Sequence, residues 1–84
     1  MKKPLVSVII VNWNGGKVFT DCLKTLKNLD WPRWELIVVD NGSTDRSEEL
    51  PRTHKLPCKR YVLIKNKNNV GFAPANNQGW KKAA

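Results

Sequence analysis

The sequence predicts a three-layer α/β fold in which a parallel sheet lies between helices. Three short, largely apolar runs, at residues 6–11, 34–40 and 61–64, have the length and the β-branched content of strands. A segment of helical character follows each run, so the elements alternate in the order β-α-β-α-β-α. Such alternation is typical of parallel sheets whose crossover helices cover the two faces.

The first strand and the first helix are predicted at residues 6–11 and 17–28. The strand residues are almost continuously apolar, which favours a strand that is covered on both faces. A turn rich in Asn and Gly separates the two elements. Apolar residues then recur at helical spacing, and we expect Cys22 to be a buried small hydrophobe within this stripe. Pro32 lies beyond the helix and cannot continue it.

The second strand, at residues 34–40, ends abruptly in the carboxylate of Asp40. Open α/β sheets build nucleotide sites where a strand brings an acidic residue to its carboxyl end. Spacing alone leaves two interpretations of Asp40 open. It is either a carboxylate that binds a ligand, or an aspartate that forms the turn or caps the next helix.

A short second helix is predicted after this turn. Asp45 and Glu48 have the spacing of a capping box with Asp45 as the N-cap, although Ser43 or Thr44 could cap the helix instead. We expect Pro51 to limit the helix to a couple of turns, because proline does not continue a helix. The residues from there to the third strand are then predicted to form a loop.

The third strand, at residues 61–64, leads through a polar loop into a third helix over residues 74–82. Pro74 suits the first turn of that helix, where its missing N–H needs no partner. The helix runs to the end of the chain, so residues 1–84 are interpreted as one truncated domain, the first part of a larger one.

The composition is that of a small globular domain, with 84 residues of which 40% are hydrophobic and 26% charged. No run approaches the roughly 18 apolar residues of a membrane span, and we expect a cytoplasmic protein. The net charge of +8 attracts polyanions. The basic residues are spread along the chain, which favours solvated faces over a nucleotide-phosphate or membrane-surface role.

Several common site chemistries are absent from the sequence. No Gly-x-Gly-x-x-Gly follows the first strand, and no Gly-Lys-Ser/Thr closes a phosphate loop. His54 is the single histidine and is expected at the surface, and the two cysteines lie at no ligand spacing. These absences argue against a dinucleotide-binding Rossmann site, a Ser-His nucleophile and a metal centre.

The candidate site lies where three predicted loops, at residues 12–16, 40–44 and 65–71, meet at one edge of the sheet. Amide-rich loops at helix starts suit phosphate, and a carboxylate suits a ribose hydroxyl or a base N–H. The sequence therefore predicts a nucleotide-type ligand at this edge. The polar side chains brought together are Asn12, Asn14, Asp40, Asn41, Ser43, Asn68 and Asn69.

Three ordered motifs resemble the start of a family 2 glycosyltransferase. They are residues 6–15 (VSVIIVNWNG), residues 38–45 (VVDNGSTD) and residues 69–73 (NVGFA), followed by Asn77 and Gly79. Members of this family are inverting enzymes of the GT-A fold that use nucleotide-sugar donors. The form of the motifs is similar to a subgroup that contains rhamnosyltransferases and other polysaccharide-building enzymes. The resemblance covers nearly the whole chain and implies the nucleotide-binding first half of a GT-A fold.

The resemblance also implies roles for the residues at the sheet edge. Residues 12–14 and Asp40 would hold the base and the ribose, with Asp40 on the pyrimidine, while Asn41 and Ser43 would shape that pocket. The loop after the third strand, with Asn77, would line the side that faces the diphosphate and the sugar. The expected nucleotide-binding residues are Asn12, Trp13, Asn14, Asp40, Asn41, Ser43, Asn69, Gly71, Phe72 and Asn77.

The implied reaction transfers a sugar from a UDP- or dTDP-sugar donor to a hydroxyl of a glycan or lipid-linked acceptor, with no nucleic acid partner. The family's Asp-x-Asp metal motif and its catalytic base are expected beyond residues 1–84, so no metal ligand or catalytic residue is assigned. A divalent cation, Mg²⁺ or Mn²⁺, is expected in the full-length enzyme. Peripheral membrane association of that enzyme is compatible with a lipid-linked acceptor. The fragment alone is expected to be inactive.

Two other functions stay open at the level of sequence. A free-standing nucleotide- or polyanion-binding module would use the same loops without catalysis. A nucleic-acid-binding function is motivated by the net charge of +8 and by no motif.

Overall fold

The computed structural model describes residues 3–84, and within them it confirms the predicted alternation of strands and helices. Each strand is followed by a helical segment, as in a βαβ architecture. A short 3-10 helix precedes the second α-helix. The elements are β1 (Val6–Asn12), α1 (Gly16–Lys27), β2 (Trp34–Asp40), the 3-10 helix (Ser47–Glu49), α2 (Leu50–His54), β3 (Arg60–Lys65) and α3 (Phe72–Lys82).

The three strands form one parallel sheet in the order β1-β2-β3. The register aligns Val6 with Trp34 at one end of β1 and Asn12 with Asp40 at the other. Asp40 is in turn aligned with Lys65 of β3. The carboxyl ends of all three strands therefore meet at one edge, which is where parallel sheets bind ligands.

The central strand β2 is buried over all seven of its residues, because helices cover both of its faces. Leu36 and Val38 face α1, where they pack with Phe19 and Leu23 in the main apolar cluster. The alternate residues of β2 face α3, since side chains along a strand point to opposite faces. The sheet is thus the middle of three layers, as predicted.

Helix α3 approaches the sheet closely because Gly79 carries no side chain. A Cβ atom at this position would lie 2.6 Å from the Cγ2 atom of Ile9 and 3.3 Å from that of Val39. Such contacts are well inside van der Waals separation, so a larger residue would push the helix away from the sheet. Gly79 therefore fixes the spacing between the third layer and the strands that carry the site.

An ion pair between a buried carboxylate and a partly exposed arginine connects the other end of α3 to the sheet. Glu35 of β2 is completely buried and accepts a hydrogen bond from Arg60 of β3 at 3.0 Å. The second oxygen of Glu35 accepts a bond from the Ala84 backbone N–H, while Arg60 also donates to the Lys82 carbonyl. The carboxylate is thereby satisfied on both oxygens, which a buried charge requires.

The prediction that the first strand is covered on both faces is confirmed for β1, but the cover is incomplete. Val8 and Ile10 pack against the main apolar cluster on one face, and Gly79 of α3 lies against Ile9 on the other. Most of β1 is half-buried, and Val6 is 40% exposed. The reason is that β1 lies at an edge of the three-stranded sheet of the described residues, so neighbours protect it less than they protect β2. A continuous apolar run does not distinguish an edge strand from a central one.

The second crossover differs from the prediction at three points. Pro51 lies in the first turn of α2 rather than ending a helix, so Arg52 and His54 are helical and not part of a loop. Proline is tolerated there because the first N–H groups of a helix have no partner within it. The predicted capping box is also absent, since the Asp45 carboxylate accepts hydrogen bonds from the N–H and the hydroxyl of Ser47.

The prediction for Cys22 is likewise wrong, because its side chain is exposed on α1. The buried residues of α1 are Phe19 and Leu23, while Val18 is 77% exposed. The apolar stripe read from the sequence is thus wider than the face that meets the sheet. None of the helices between residues 3 and 84 is long and apolar enough to cross a membrane.

Candidate functional site

The site is built on the carboxyl end of β2, where two consecutive residues face different neighbours. Asp40 and Asn41 are each only 2% exposed. The Asn41 N–H donates to the Asn12 carbonyl at 2.8 Å, and the Asp40 carbonyl accepts from the Asn66 N–H at 2.8 Å. The sheet ladder thus continues into the loops, which holds both side chains in defined positions.

The first group of side chains, which we call the carboxylate network, comprises Asn12, Asp40, Ser43 and Ser47. One oxygen of Asp40 accepts hydrogen bonds from the Asn12 amide at 3.0 Å and from the Ser43 hydroxyl at 2.6 Å. The other oxygen accepts one bond, from the Ser43 backbone N–H at 3.0 Å. Asp40 therefore closes its own turn while it binds the end of the neighbouring strand.

Asn12 extends this network to the 3-10 helix. Its amide nitrogen also donates to the Ser47 hydroxyl at 2.7 Å, and its oxygen accepts from the Gly15 N–H at 3.2 Å. The Ser47 hydroxyl in turn donates to the Asp45 carboxylate at 2.6 Å. These bonds lower the pKa of Asp45, with the Ser47 hydroxyl as the largest cause, because they favour the ionised carboxylate.

Asn14 connects the first loop to the second at the exposed rim of the carboxylate network. Its backbone N–H donates to the Ser43 hydroxyl at 2.9 Å, and its side-chain oxygen accepts from the Thr44 N–H at 2.7 Å. Asn14 adopts a left-handed conformation with φ of 48°, which asparagine tolerates better than most residues. Its neighbour Trp13 is 57% exposed, so the indole of this loop is accessible to solvent.

The second group, which we call the amide network, comprises Asn41, Asn66, Asn69 and Gln78. The Asn41 amide nitrogen donates to the Asn69 side chain at 3.2 Å and to the Gly71 carbonyl at 3.1 Å. Its oxygen accepts from the Asn66 amide at 3.0 Å. Asn66 and Gln78 then exchange two reciprocal hydrogen bonds, at 2.8 and 3.0 Å. The third loop is thereby tied to both β2 and α3.

Gly71 ends the third loop in a conformation that favours glycine. Its φ is 92°, and α3 begins at the next residue. Asn69 supports this turn by accepting a hydrogen bond from the Gly71 N–H at 2.8 Å. The start of α3 is consequently held at the same edge of the sheet as Asp40, since Asn41 binds the Gly71 carbonyl.

Seven of the ten predicted nucleotide-binding residues belong to these two networks or are hydrogen-bonded to them. The members are Asn12, Asp40, Asn41, Ser43 and Asn69, and Asn14 and Gly71 bind to Ser43 and Asn41. Trp13, Phe72 and Asn77 are exposed and belong to neither network. Ser47 and Gln78 are network members that sequence reasoning missed, because their partners lie 35 and 12 residues away in the chain. Asn66 was detectable, since it directly follows the third strand within an Asn-rich loop. Contact of any of these residues with a nucleotide stays a prediction.

The described residues do not fit the divalent cation that the resemblance implies. Between residues 3 and 84 there is no group of three or more His, Cys, Asp or Glu side chains that could hold a metal ion. Asp40 and Asp45 are both bound by protein donors rather than converging on one point. Positive charge near this edge comes from two exposed lysines, Lys65 at the end of β3 and Lys67 in the third loop.

The family model for glycosyl transferase family 2 matches residues 7–84. The chain belongs to glycosyl transferase family 2. The parallel α/β arrangement agrees with this assignment and is consistent with the first half of a GT-A fold. The match does not identify a rhamnosyltransferase-like subgroup, so that part of the expectation stays a prediction.

Relatives that are named as glycosyltransferases align with most of the chain. TuaG of Bacillus subtilis, named as a glycosyltransferase of teichuronic acid biosynthesis, is 31% identical over 96% of this chain and 32% of its own length. The glycosyltransferase GlyG of Streptococcus pneumoniae is 32% identical over 89% of this chain and 25% of its own length. WcaA of Escherichia coli, named for colanic acid biosynthesis, is 29% identical over 89% of this chain.

The chain therefore spans between a quarter and a third of the length of the curated relatives TuaG and GlyG. No solved structure matches it at a significant level.

Proposed function

We propose that this chain binds the nucleotide of a sugar donor and forms the donor-binding part of an inverting glycosyltransferase. The observation that carries the proposal is the alignment of Asn12 with Asp40 at the carboxyl edge of the sheet, with the exposed Trp13 next to Asn12 in the chain. Parallel sheets bind nucleotides at this edge. Membership of glycosyl transferase family 2 supports the same ligand class.

The proposed base position lies against Trp13 and the rim formed by Asn14 and Ser43. An exposed indole offers an apolar face on which a pyrimidine can stack. Asp40 would take part through the oxygen that accepts a single hydrogen bond from the protein, since a carboxylate oxygen has room for a second donor. A base N–H is such a donor, and UDP and dTDP both carry one.

The proposed diphosphate position lies toward the third loop and the start of α3. Exposed Lys65 and Lys67 supply positive charge. The first backbone N–H groups of α3 have no acceptor within the helix, so they are available to a phosphate. Phe72 and Asn77 lie in the first two turns of α3, from which they would border the sugar. The base, the diphosphate and the sugar of the donor would then lie in this order along the carboxyl edge of the sheet.

The proposed reaction joins the donor sugar to an acceptor hydroxyl. We propose that the acceptor is a glycan or a lipid-linked molecule in polysaccharide synthesis, and that the reaction takes place in the cytoplasm. The names of TuaG and WcaA, which refer to teichuronic and colanic acid, support the polysaccharide setting. A divalent cation, when bound, would neutralise charge on the leaving diphosphate. The described residues of this chain would bind and orient the nucleotide.

A titration of the 84-residue chain with UDP, followed by amide NMR shifts, tests this proposal. Shifts are expected in the three loops at residues 12–16, 40–44 and 65–71. Trp13→Ala should weaken UDP binding about tenfold, because loss of one stacked base costs about 1–3 kcal/mol. Trp80→Ala is the matched control, since Trp80 is 72% exposed but lies beside Ser7, at the opposite end of β1.

The same titration distinguishes the alternative of a polyanion-binding module. Pyrophosphate carries the diphosphate of the donor without its base, so it should bind more weakly than UDP and should not respond to Trp13→Ala. Equal binding of both compounds with a steep salt dependence would contradict recognition of the nucleotide. An equal effect of Trp13→Ala and Trp80→Ala would contradict the proposed position of the base.

A further inference from the structure

The outer edge of β1 is open among residues 3–84, because β1 lies at one end of the sheet and pairs there with β2 alone. The Val6 N–H donates to the Arg33 carbonyl at 3.0 Å, and the Asn12 carbonyl accepts from the Asn41 N–H at 2.8 Å. Backbone groups of successive strand residues point to opposite sides, so the residues between Val6 and Asn12 alternate between β2 and the open edge. Those that face away from β2, which we call the open-edge residues, are Ser7, Ile9 and Val11.

The two edges of the sheet differ in how they are protected from other chains. β3 begins with Arg60 and ends with Lys65, and charged side chains on an edge strand discourage pairing with a further strand. β1 has neither a charged residue nor a proline over its seven residues. Its row of unpaired N–H and C=O groups is therefore a template for another extended segment.

Apolar side chains accompany this row of backbone groups. Trp80 of α3 is 72% exposed and lines a groove together with Ser7 and Ile9. Val6, at the start of β1, is 40% exposed. A surface that combines a free strand edge with neighbouring apolar side chains fits an added strand, whose backbone and side chains meet the two features at once.

The accessible surface of the chain is large enough for such a contact. It is 5770 Å² for a mass of 9.6 kDa, whereas a folded monomer of this mass exposes roughly 5,100 Å². The excess is comparable with the roughly 800 Å² that each partner buries in a protein interface of standard size.

We propose that two copies of this chain pair along their β1 edges and form an antiparallel two-fold dimer. Ile9 lies opposite Ile9 of the second copy, and Ser7 lies opposite Val11. Each such pair exchanges both of its backbone hydrogen bonds, as hydrogen-bonded pairs of an antiparallel ladder do. The same edge serves both copies, so the interface is isologous and closed. Since β1 is uncharged, the pairing sets no like charges against each other along the two strands.

The two-fold axis is perpendicular to the sheet, so both α3 helices lie on the same face of one continuous sheet. Trp80 lies beside Ser7 in its own copy. Because Ser7 is opposite Val11 of the second copy, the indole packs near that Val11 and loses part of its exposed surface. The dimer thus uses the backbone groups and the apolar side chain of the same edge.

Sedimentation equilibrium of the 84-residue chain, from low micromolar to millimolar concentration, tests for the dimer. The mass should rise with concentration from 9.6 kDa toward twice that value. Ser7→Pro removes an N–H from the open edge without removing a bond to β2, and proline is tolerated in edge strands. It should raise the Kd of the dimer at least about tenfold, because each copy loses one hydrogen bond to the other. Ser7→Ala is the matched control, since it keeps the N–H and should leave the Kd unchanged.

Amide hydrogen exchange of the unmodified chain locates the contact. The amides of the open-edge residues should exchange more slowly as the concentration rises, because only the dimer gives them an acceptor. The Leu63 amide is the internal control on the other edge. The Asn66 N–H donates to the Asp40 carbonyl of β2, so alternation turns the Leu63 N–H away from β2. Its exchange should not depend on concentration.

A mass of 9.6 kDa at every concentration would overturn the proposal. A dimer that protects the Leu63 amide and not the open-edge residues would also overturn it, since β3 would then be the contact. Equal Kd values for folded Ser7→Pro and Ser7→Ala would contradict backbone pairing, and if Ser7→Pro does not fold, the exchange of the unmodified chain decides.

The dimer and the proposed nucleotide position can fail independently. Each nucleotide position is formed by residues of one copy, so UDP should bind equally well to Ser7→Pro and Ser7→Ala. Loss of the dimer with unchanged UDP binding would separate the two surfaces.

Discussion

The carboxylate network and the amide network start from adjacent residues of β2 but serve the site differently. Asp40 and Asn41 are equally buried, at 2% exposure. The network of Asp40 joins β1 to β2 and continues to the exposed Asn14 at its rim. The network of Asn41 closes on itself through the reciprocal pair of Asn66 and Gln78.

Under the proposed function, this difference assigns contact with the ligand to the carboxylate network and its exposed rim, and assigns support of the third loop to the amide network. A charged acceptor with an oxygen that has room for another donor suits recognition of a base N–H. A neutral chain of amides, in which donors and acceptors match each other, suits the positioning of a loop. The backbone groups of the adjacent residues Asp40 and Asn41 bind different neighbours, Asn66 and Asn12, so the two networks extend from β2 in different directions.

The largest effect on this comparison is expected from Asp40→Ala. The change leaves the Asn12 amide and the Ser43 hydroxyl without their buried acceptor, so the free energy of unfolding should fall by about 3 kcal/mol. Urea unfolding followed by Trp fluorescence measures this loss. Asp21→Ala is the control, because Asp21 forms only an exposed i,i+4 ion pair with Lys17 and should change stability little.

A loss at Asp40 no larger than at Asp21 would mean that the carboxylate network contributes nothing to folding. The two networks would then not be comparable as structural units.

A smaller effect, of about 2 kcal/mol, is expected from Asn41→Ala, which removes only neutral hydrogen bonds. Asn41→Asp keeps the shape and the acceptor but loses the donor to Asn69 and to the Gly71 carbonyl. Both variants should speed hydrogen exchange at the Gly71 amide, and Asn41→Ala should also speed it at the Val70 amide, which donates to the Asn41 oxygen. This exchange measures the release of the third loop.

Unchanged exchange at these two amides in a destabilised variant would contradict the role assigned to the amide network. In that case Asn41 would support the sheet alone, and another contact would hold the start of α3.

The smallest effect is expected from substitution of Asp45, on the outer side of the carboxylate network. This effect concerns the pH dependence of the free energy of unfolding. Its pKa in the folded state is lowered below the ordinary value of 3.8, chiefly by the Ser47 hydroxyl. A depressed pKa means that the stabilisation is present above the unfolded-state value and is lost as the pH falls through the folded-state value. Asp45→Asn should therefore flatten the decline of stability below about pH 4.

Urea midpoints measured between pH 2 and pH 5 test this expectation, with Asp21→Asn as the exposed control. A decline as steep in Asp45→Asn as in the unmodified chain would show that the Ser47 hydroxyl does not favour the ionised form of Asp45.

Much of the fold was predictable because it depends on patterns that are short in sequence. The bounds of β2 follow from an apolar run that stops at a carboxylate, and they agree with the structure at both ends. The placement of Asp40 at the tip of a strand needed no tertiary information. The loops that contain Asn12 and Asn69 also lie where the alternation of elements puts them.

Other features were not predictable from local patterns. Pro51 is equally compatible with the end of one helix and the first turn of another, and only the path toward β3 decides between them. The exposure of Cys22 depends on how α1 is rotated against the sheet, which a wide apolar stripe does not specify. β1 and β2 have similar sequences, and their order in the sheet determines which one is buried.

The sequence by itself determined the class of fold, the family and the edge at which the side chains gather. Only the tertiary structure decided that Asp40 is surrounded by donors, that Asn41 holds the third loop and that Glu48 keeps a buried oxygen without a partner among residues 3–84. The physical reason is the separation along the chain of the residues that interact. Strand and turn formation respond to residues a few positions apart, whereas these hydrogen bonds join groups that come together only when the layers pack.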